Sequence, residues 1–361
     1  MMRKHATLIV AICIFIFNQT GQASDELPDD KFVSLPPTVE LALIVASLTD
    51  LGRDSGQQID RGTYYYSAVE AHFRPYADMS AVANLPDGFN LPRLVGNAAD
   101  FAFDSSGRIV EVDRSGSLWR DAEGDLFRRM RQDLEVFAKT SGFGSFYEDH
   151  RDDYAVLIDA TNEMVDPHDI RAWLEAEFSA RPGPARIIVS PLMAGLHWTT
   201  LYKSEQRIWL KAPDPAVVDG VSALDRMRFV RSVFTEVDHA YVNPVTAKME
   251  TAVVEAFGHT AHWATTQAAA NYPTAELQFN EYMTWAVFLL YAAERLSADD
   301  YVRLKEKTVS IMKKGRGFRA FDVFADKAIA LRNASERKIE AMMPDLVAWA
   351  RDHAETKDSL Q

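Results

Sequence analysis

The segment from Phe234 to Pro244 reads FTEVDHAYVNP and carries residue types that could hold and use a metal ion. Glu236 is followed three positions later by His239, but Thr235 stands where the zinc-binding pattern H-E-x-x-H has its first histidine. Residues three or four apart share a helix face, so Glu236 and His239 could contact one zinc ion. The same pair also occurs by chance on solvated helices, so a metal site and an ordinary helix both stay open.

A second carboxylate enters through the apolar stretch from Ala275 to Leu296, which predicts a buried helix. Glu281 lies near the start of its apolar part, 42 residues after His239. An isolated buried charge is costly, so a carboxylate in such a helix is expected to have a partner. Glu276, one turn earlier, is expected to be exposed and is the weaker candidate for a third ligand.

Other polar residues could assist this site. His259 and His262 lie three positions apart and could substitute for a missing ligand, although two ordinary histidines at a helix start are the simpler interpretation. His197 heads the segment HWTTLY and could face a cleft, or be a structural histidine. Asn243 precedes Pro244, and the residue before a proline is pushed out of the α region, so this pair predicts the end of the helix.

Several function classes are excluded or disfavoured by the sequence. The net charge of −13 argues against a nucleic-acid partner, and the short basic cluster from Lys313 to Arg319 is interpreted as a solvated turn. No G-x-S-x-G elbow and no glycine-rich phosphate loop occur. The single cysteine is Cys13, near the N-terminus, so any metal site must use His, Asp, Glu or water.

Residues 1–23 predict a signal peptide. Arg3 and Lys4 precede an apolar stretch of 12 residues from Ala6 to Phe17, which is shorter than the roughly 20 residues that span a bilayer. Small residues up to Ala23 favour cleavage there. We therefore expect an exported protein, periplasmic or secreted, with no disulfide bond and no stable membrane insertion after cleavage.

The remaining sequence predicts an α+β protein that is mostly helical. A small sheet is indicated by the segments RIIV, HWTTLY and QRIWLK, and nearly continuous helix follows from Ala223. Turn-forming residues from Pro213 to Ser222 favour a boundary. We therefore predict an N-terminal α+β region over 24–212 and a helical region over 223–355 that carries Glu236.

Patches along the chain resemble a bacterial family of exported proteins of unknown function, grouped with the zincin-like (gluzincin) metallopeptidases. The similar patches are TVELALIVASL, VEAHFRPYADMSAV, FAKTSGFGSFYEDHRDDY and RIIVSPLMAGLHWTTLY, in that order. FTEVDHAYVNP follows them and is similar to a family segment of the type H-E-F-x-H-x-x-V-N-P. The resemblance implies a zincin-like architecture over most of the chain.

The resemblance also implies roles for individual residues. Glu236 would be the general base acting on a zinc-bound water, and His239 and Glu281 would be zinc ligands. Thr235 departs from the family pattern, and a hydroxyl is a poor substitute for an imidazole on zinc. The first hypothesis is a zinc-dependent peptidase of the cell envelope, whose HWTTLY strand pairs with an extended peptide or protein substrate.

Two alternatives accompany that hypothesis. The first is a metallopeptidase-like fold without catalysis that binds a peptide or an envelope protein. The second is an enzyme with an altered metal set, in which Glu236, His239 and Glu281 hold the metal directly. Thr235 distinguishes the three hypotheses, because it stands in place of the first histidine of a zinc-binding pattern whose other residues are present.

Overall fold

The computed structural model describes residues 32–50, 58–112, 126–195, 197–201, 205–258 and 260–358. The protein is 66% helical with a small sheet, which confirms the mostly helical α+β class. The predicted signal peptide and His259 lie outside the described residues. Within these ranges, no helix combines the length and the hydropathy needed to cross a membrane.

The chain forms two compact units. Of the described residues, those between 32 and 167 and between 182 and 221 form the N-terminal unit, and those between 168 and 181 and between 222 and 358 form the C-terminal unit. The change of unit at 221/222 falls in the turn-forming segment. Residues 168–181, which the sequence places in the N-terminal region, group instead with the C-terminal helices.

The N-terminal unit is built around one central helix. Its helices are α1 (Pro37–Ser47), α2 (Tyr64–Phe73), α3 (Ser80–Ala83), α4 (Leu91–Ala98), α5 (Leu126–Ser141), α6 (Phe143–Asp149) and α7 (Arg151–Met164), with 3-10 turns at Arg74–Tyr76 and Pro215–Val217. Helix α1 begins directly after Pro36, and every residue from Thr38 to Ser47 is buried. A helix that is apolar on all sides belongs inside a core, and the core of this unit surrounds α1.

Two sheets accompany these helices. The larger has the strand order β1 (Val33–Ser34), β4 (Ala185–Ser190), β6 (Gln206–Lys211) and β5 (Trp198–Leu201), and the smaller pairs β2 (Phe101–Phe103) with β3 (Ile109–Glu111). Strand β6 runs parallel to β4 and antiparallel to β5. In the described part of the sheet, β6 is the only neighbour of β5, which leaves β5 as an edge strand.

The C-terminal unit is helical. Its helices are α8 (Pro167–Glu177), α9 (Ala223–Val237), α10 (His239–Lys248), α11 (Glu250–Phe257), α12 (Thr260–Trp263), α13 (Thr266–Asn271), α14 (Ala275–Ala293), α15 (Ala298–Ser310), α16 (Phe321–Asn333) and α17 (Ile339–Asp358), with a π-helical turn at Ile311–Gly315. Helix α14 is buried over almost its whole length and packs against α9, α10, α11 and α16. It begins where the Thr274 side chain accepts a hydrogen bond from the backbone N–H of Leu277.

Helix α8 contacts the other helices of this unit through its side chains. The turn-forming residues of the sequence do not predict these contacts. Trp173 donates its indole N–H to Glu294, and Arg332 contacts both carboxylate oxygens of Glu177. These long-range contacts explain why residues 168–181 belong with the helices that follow residue 222.

The helix that carries Glu236 ends earlier than the sequence predicts. Helix α9 ends at Val237, Asp238 lies between two helices in helical backbone conformation, and α10 begins at His239. The prediction that Asn243 and Pro244 end the helix is wrong, because Pro244 lies inside α10. The restart at His239 places the proline early in a new helix, where its missing N–H costs one i→i−4 hydrogen bond.

Candidate functional site

The charged centre of the C-terminal unit is an ion pair between Glu281 and Arg316. Nη2 of Arg316 donates to Oε2 of Glu281 at 2.5 Å and also to the hydroxyl of Tyr272. The Glu281 side chain is 11% exposed and that of Arg316 is 27% exposed. The carboxylate for which a partner is expected therefore has one, and that partner is an arginine.

His239 lies beside the other oxygen of the same carboxylate. Its Nε2 is 3.6 Å from Oε1 of Glu281, and its Nδ1 is 3.3 Å from Oδ1 of Asn243, one turn further along α10. The amide oxygen of Asn243 can only accept, so this contact orients Nδ1 as the protonated nitrogen. The lone pair of a neutral His239 is then on Nε2, on the side of Glu281.

Two further carboxyl groups lie at the junction of α9 and α10, Glu236 in the last turn of α9 and Asp238 between the two helices. Burial, helped by the nearby Glu281 and partly offset by Arg316, raises the pKa of Glu236 to about 8. Asp238 is fully buried, and neither of its carboxylate oxygens has a hydrogen-bond partner among the described residues. Its pKa is raised well above the usual range, first by burial and then by Glu236 and Glu281. Glu236 is therefore mostly protonated at neutral pH unless a cation binds beside it, and burial disfavours the charged form of Asp238 in the same way.

Thr235 is buried and bonded to its own helix. Its hydroxyl donates to the backbone carbonyl of Arg231 at 2.9 Å, and the residue is 2% exposed. This is the usual back-bonding of a threonine within a helix. The position that corresponds to the first histidine of the zinc pattern therefore holds a group engaged in local structure.

The accessory histidines lie in different surroundings. The His262 ring packs against Trp263 and His353, with centroid distances of 4.7 and 5.4 Å. His197 belongs to the N-terminal unit and directly precedes β5. The structure thus joins Glu281, His239 and Asn243 in one cluster, with Glu236 electrostatically coupled to it, and places His262 in an aromatic cluster.

The zinc ion implied by the resemblance fits two of these side chains. Zinc bonds of about 2.0–2.2 Å at tetrahedral angles bring two ligand atoms to about 3.3–3.6 Å from each other, close to the separation of His239 and Glu281. A catalytic zinc normally has three protein ligands, and the described residues contain no group of three or more His, Cys, Asp and Glu arranged to hold a metal. The side chains as placed therefore do not supply a complete catalytic zinc site.

Arg316 is the site residue that the sequence analysis missed. The interpretation of Lys313 to Arg319 as a solvated turn is wrong for this side chain, which is paired to Glu281. A signal is present in its neighbour Gly317, which has a φ of +81° and whose Cβ, if it had one, would overlap the side chain of Thr265. Two glycines around a single arginine indicate a tightly held turn.

These observations define a mostly helical α+β protein with a part-buried cluster of Glu236, His239, Glu281 and Arg316 in its C-terminal unit. No protein-family model, curated protein or solved structure matches the chain.

Proposed function

We propose that this protein is an exported, zincin-like protein that binds a peptide or protein ligand without hydrolysing it, at the cluster of Glu236, His239, Glu281 and Arg316. The observation that carries the proposal is the ion pair between Glu281 and Arg316. The guanidinium supplies the positive charge that the carboxylate needs, and Thr235 offers no replacement for the lost histidine.

Two further features support a binding role. Arg316 has donors beyond the one nitrogen that contacts Glu281 and Tyr272, so it can hydrogen-bond a ligand without giving up the ion pair. In the N-terminal unit, β5 has an edge to which an extended peptide could add as a further strand. Each unit thus offers its own mode of recognising a polypeptide.

A zinc-dependent hydrolase is the second candidate. It is favoured by the 3.6 Å separation of His239 and Glu281, which suits two ligands of one metal ion. The two candidates differ in whether the natural residue at position 235 permits zinc to bind at a stoichiometric level.

Metal content separates the two candidates. The purified protein is equilibrated with excess zinc, freed of unbound metal and analysed by mass spectrometry. We expect well below one equivalent of zinc and no turnover of a peptide library. Thr235→His restores the pattern H-E-x-x-H and is expected to bring zinc close to one equivalent, because it supplies the third ligand.

Three controls make the result decisive. His239→Ala in the Thr235→His background should lose the gained zinc, and Thr251→His, which adds a histidine at an exposed position of α11, should gain none. Circular dichroism checks that each variant is folded. One equivalent of zinc in the natural protein that His239→Ala removes would overturn the non-catalytic proposal in favour of the hydrolase.

A further inference from the structure

Two arginines of the C-terminal unit lie against the same tryptophan. The guanidinium carbons of Arg231 on α9 and Arg316 are each 5.1 Å from the ring centroid of Trp285 on α14. The two guanidinium groups are therefore separated by at most twice that distance. Trp285 lies one turn after Glu281 on the same helix, so the pair borders the proposed ligand site.

Arg231 has no acidic partner among the described residues. Its side chain is largely enclosed, and its contact with Trp285 is the interaction that the structure gives it. Burial, together with repulsion from Arg316 and Arg228, lowers the pKa of Arg231 to about 10. A part-buried cation without a counter-ion is costly, so its presence calls for an explanation outside folding.

Two other arginines among the described residues have carboxylate partners. Arg207 contacts the carboxylates of Asp100 and Glu205, and Arg332 contacts both oxygens of Glu177. Arg316 is intermediate between these paired arginines and Arg231, because only its Nη2 contacts an acceptor among the described residues. Around Trp285 there is thus more guanidinium donor capacity than acceptor.

We infer that Arg231 and Arg316 form a subsite around Trp285 that binds a carboxylate of the ligand, supplied by the C-terminus of a peptide or by an acidic side chain. A planar guanidinium matches a carboxylate by paired hydrogen bonds, as Arg332 demonstrates with Glu177 in the same unit. Repulsion from Glu281 disfavours a more highly charged anion such as phosphate. The inference rests on the proposed function, since it names the chemical group of the peptide that this site recognises.

Binding of small defined peptides tests the inference. Four probes are compared by ligand-observed NMR and calorimetry, namely acetyl-trialanine with a free carboxylate, the same peptide amidated, amidated acetyl-Ala-Glu-Ala, and inorganic phosphate. We expect at least one of the two carboxylate peptides to bind at least tenfold more tightly than amidated acetyl-trialanine. The carboxylate peptide that binds more tightly shows whether the site recognises a C-terminus or an acidic side chain. Tighter binding of phosphate than of either carboxylate peptide would overturn the inference.

Two variants report on the arginines themselves. Arg231→Gln and Arg316→Gln should each weaken binding of the preferred carboxylate peptide by tenfold or more. Arg231→Gln should at the same time raise the melting temperature by about 2–4 °C, because it removes an uncompensated buried charge. Arg228→Gln, in an exposed ion pair on the same helix, is the matched control and should leave binding unchanged.

A gain in stability together with a loss of binding is a combination that a purely structural arginine would not produce. Equal binding of the amidated trialanine, binding that both arginine variants retain, or no binding of any probe would overturn the inference. Hydrolysis of a bound carboxylate peptide would overturn the non-catalytic proposal and leave the subsite standing, so failure of one is distinguishable from failure of the other.

Discussion

Buried carboxyl groups occur in both units, but their surroundings differ. In the N-terminal unit, Glu40 on α1 is fully buried, and burial raises its pKa to about 7. The hydroxyls of Ser190 and Tyr65 face it and offset the rise, although neither meets the geometry of a full hydrogen bond. In the C-terminal unit, Glu281 is paired with a guanidinium.

The surroundings of Glu40 are made of neutral groups. The hydroxyls of Tyr65 and Tyr154 are 2.6 Å apart, and Tyr147 donates its hydroxyl to the carbonyl of Leu35. Burial and the nearby Glu40 raise the pKa values of all three tyrosines, so these groups stay neutral. Glu40 is thus a protonated core residue below pH 7, whereas Glu281 lies in a cluster that supplies it with a guanidinium partner.

This comparison teaches that a raised pKa does not by itself identify a site. Glu40 and Glu236 have similar pKa values, near 7 and 8, and both shifts come first from burial. The second cluster differs because it also contains cations with donors to spare and a histidine beside a carboxylate. Because these additional groups can bind a ligand, the cluster around Glu281 is the candidate functional site and the surroundings of Glu40 are not.

The largest effect expected from this comparison is a stabilisation by Glu40→Gln at alkaline pH. The pKa of Glu40 is raised from 4.5 to about 7 on folding, so its contribution is complete below pH 4.5 and is lost as the pH rises to about 7. At 1.36 kcal/mol per pKa unit, the loss is about 3 kcal/mol. Urea unfolding at pH 4.5 and pH 8 should give similar free energies for both proteins at pH 4.5 and a more stable variant at pH 8.

The exposed Glu306 supplies the matched control, since Glu306→Gln should change the free energy of unfolding equally little at both pH values. A variant Glu40→Gln that is no more stable than the natural protein at pH 8 would contradict the description of Glu40 as a neutral core group.

At the cluster around Glu281, replacing the glutamate by glutamine is expected to destabilise the protein rather than stabilise it. Glu281→Gln leaves the enclosed guanidinium of Arg316 without its counter-charge and should lower the free energy of unfolding by about 2 kcal/mol at pH 7. Adding Arg316→Gln should recover part of this loss. A double-mutant cycle measured by urea unfolding gives the coupling energy. A coupling energy near zero would show that the pair is no stronger than a solvated surface contact.

The smallest effect is expected at Thr235. Thr235→Val keeps the shape of the side chain and removes only the hydrogen bond to the Arg231 carbonyl, so the free energy of unfolding should change by about 0.5 kcal/mol or less. Zinc content should not change. A loss of bound zinc in Thr235→Val would instead assign a ligand role to the hydroxyl.

Much of the local structure could be predicted from the sequence because it depends on near neighbours. The buried helix predicted in the stretch from Ala275 to Leu296 is α14, which spans Ala275–Ala293. The segments RIIV and QRIWLK lie in β4 and β6, and the residues WTTL of the segment HWTTLY form β5.

Pairing across long separations could not be predicted in the same way. Strand β6 lies between β4 and β5 and runs parallel to β4, which no local pattern indicates. The helix restart at His239 likewise overrides the local signal of Asn243 and Pro244. The Arg316 position depends on a turn held by Gly317 against Thr265, a residue more than fifty positions earlier.

The sequence by itself determined the class of the protein and the residue types of its candidate site. Hydrophobic periodicity is a local property, so the predominance of helix and the buried character of the Glu281 helix follow from it. Only the tertiary structure decided that Glu281 faces both His239 and Arg316, and that Arg231 lies against Trp285 with no acidic partner in the described part of the chain. Electrostatic partnership depends on distances across the fold and on exclusion of water, and neither quantity is encoded in the spacing of residues along the chain.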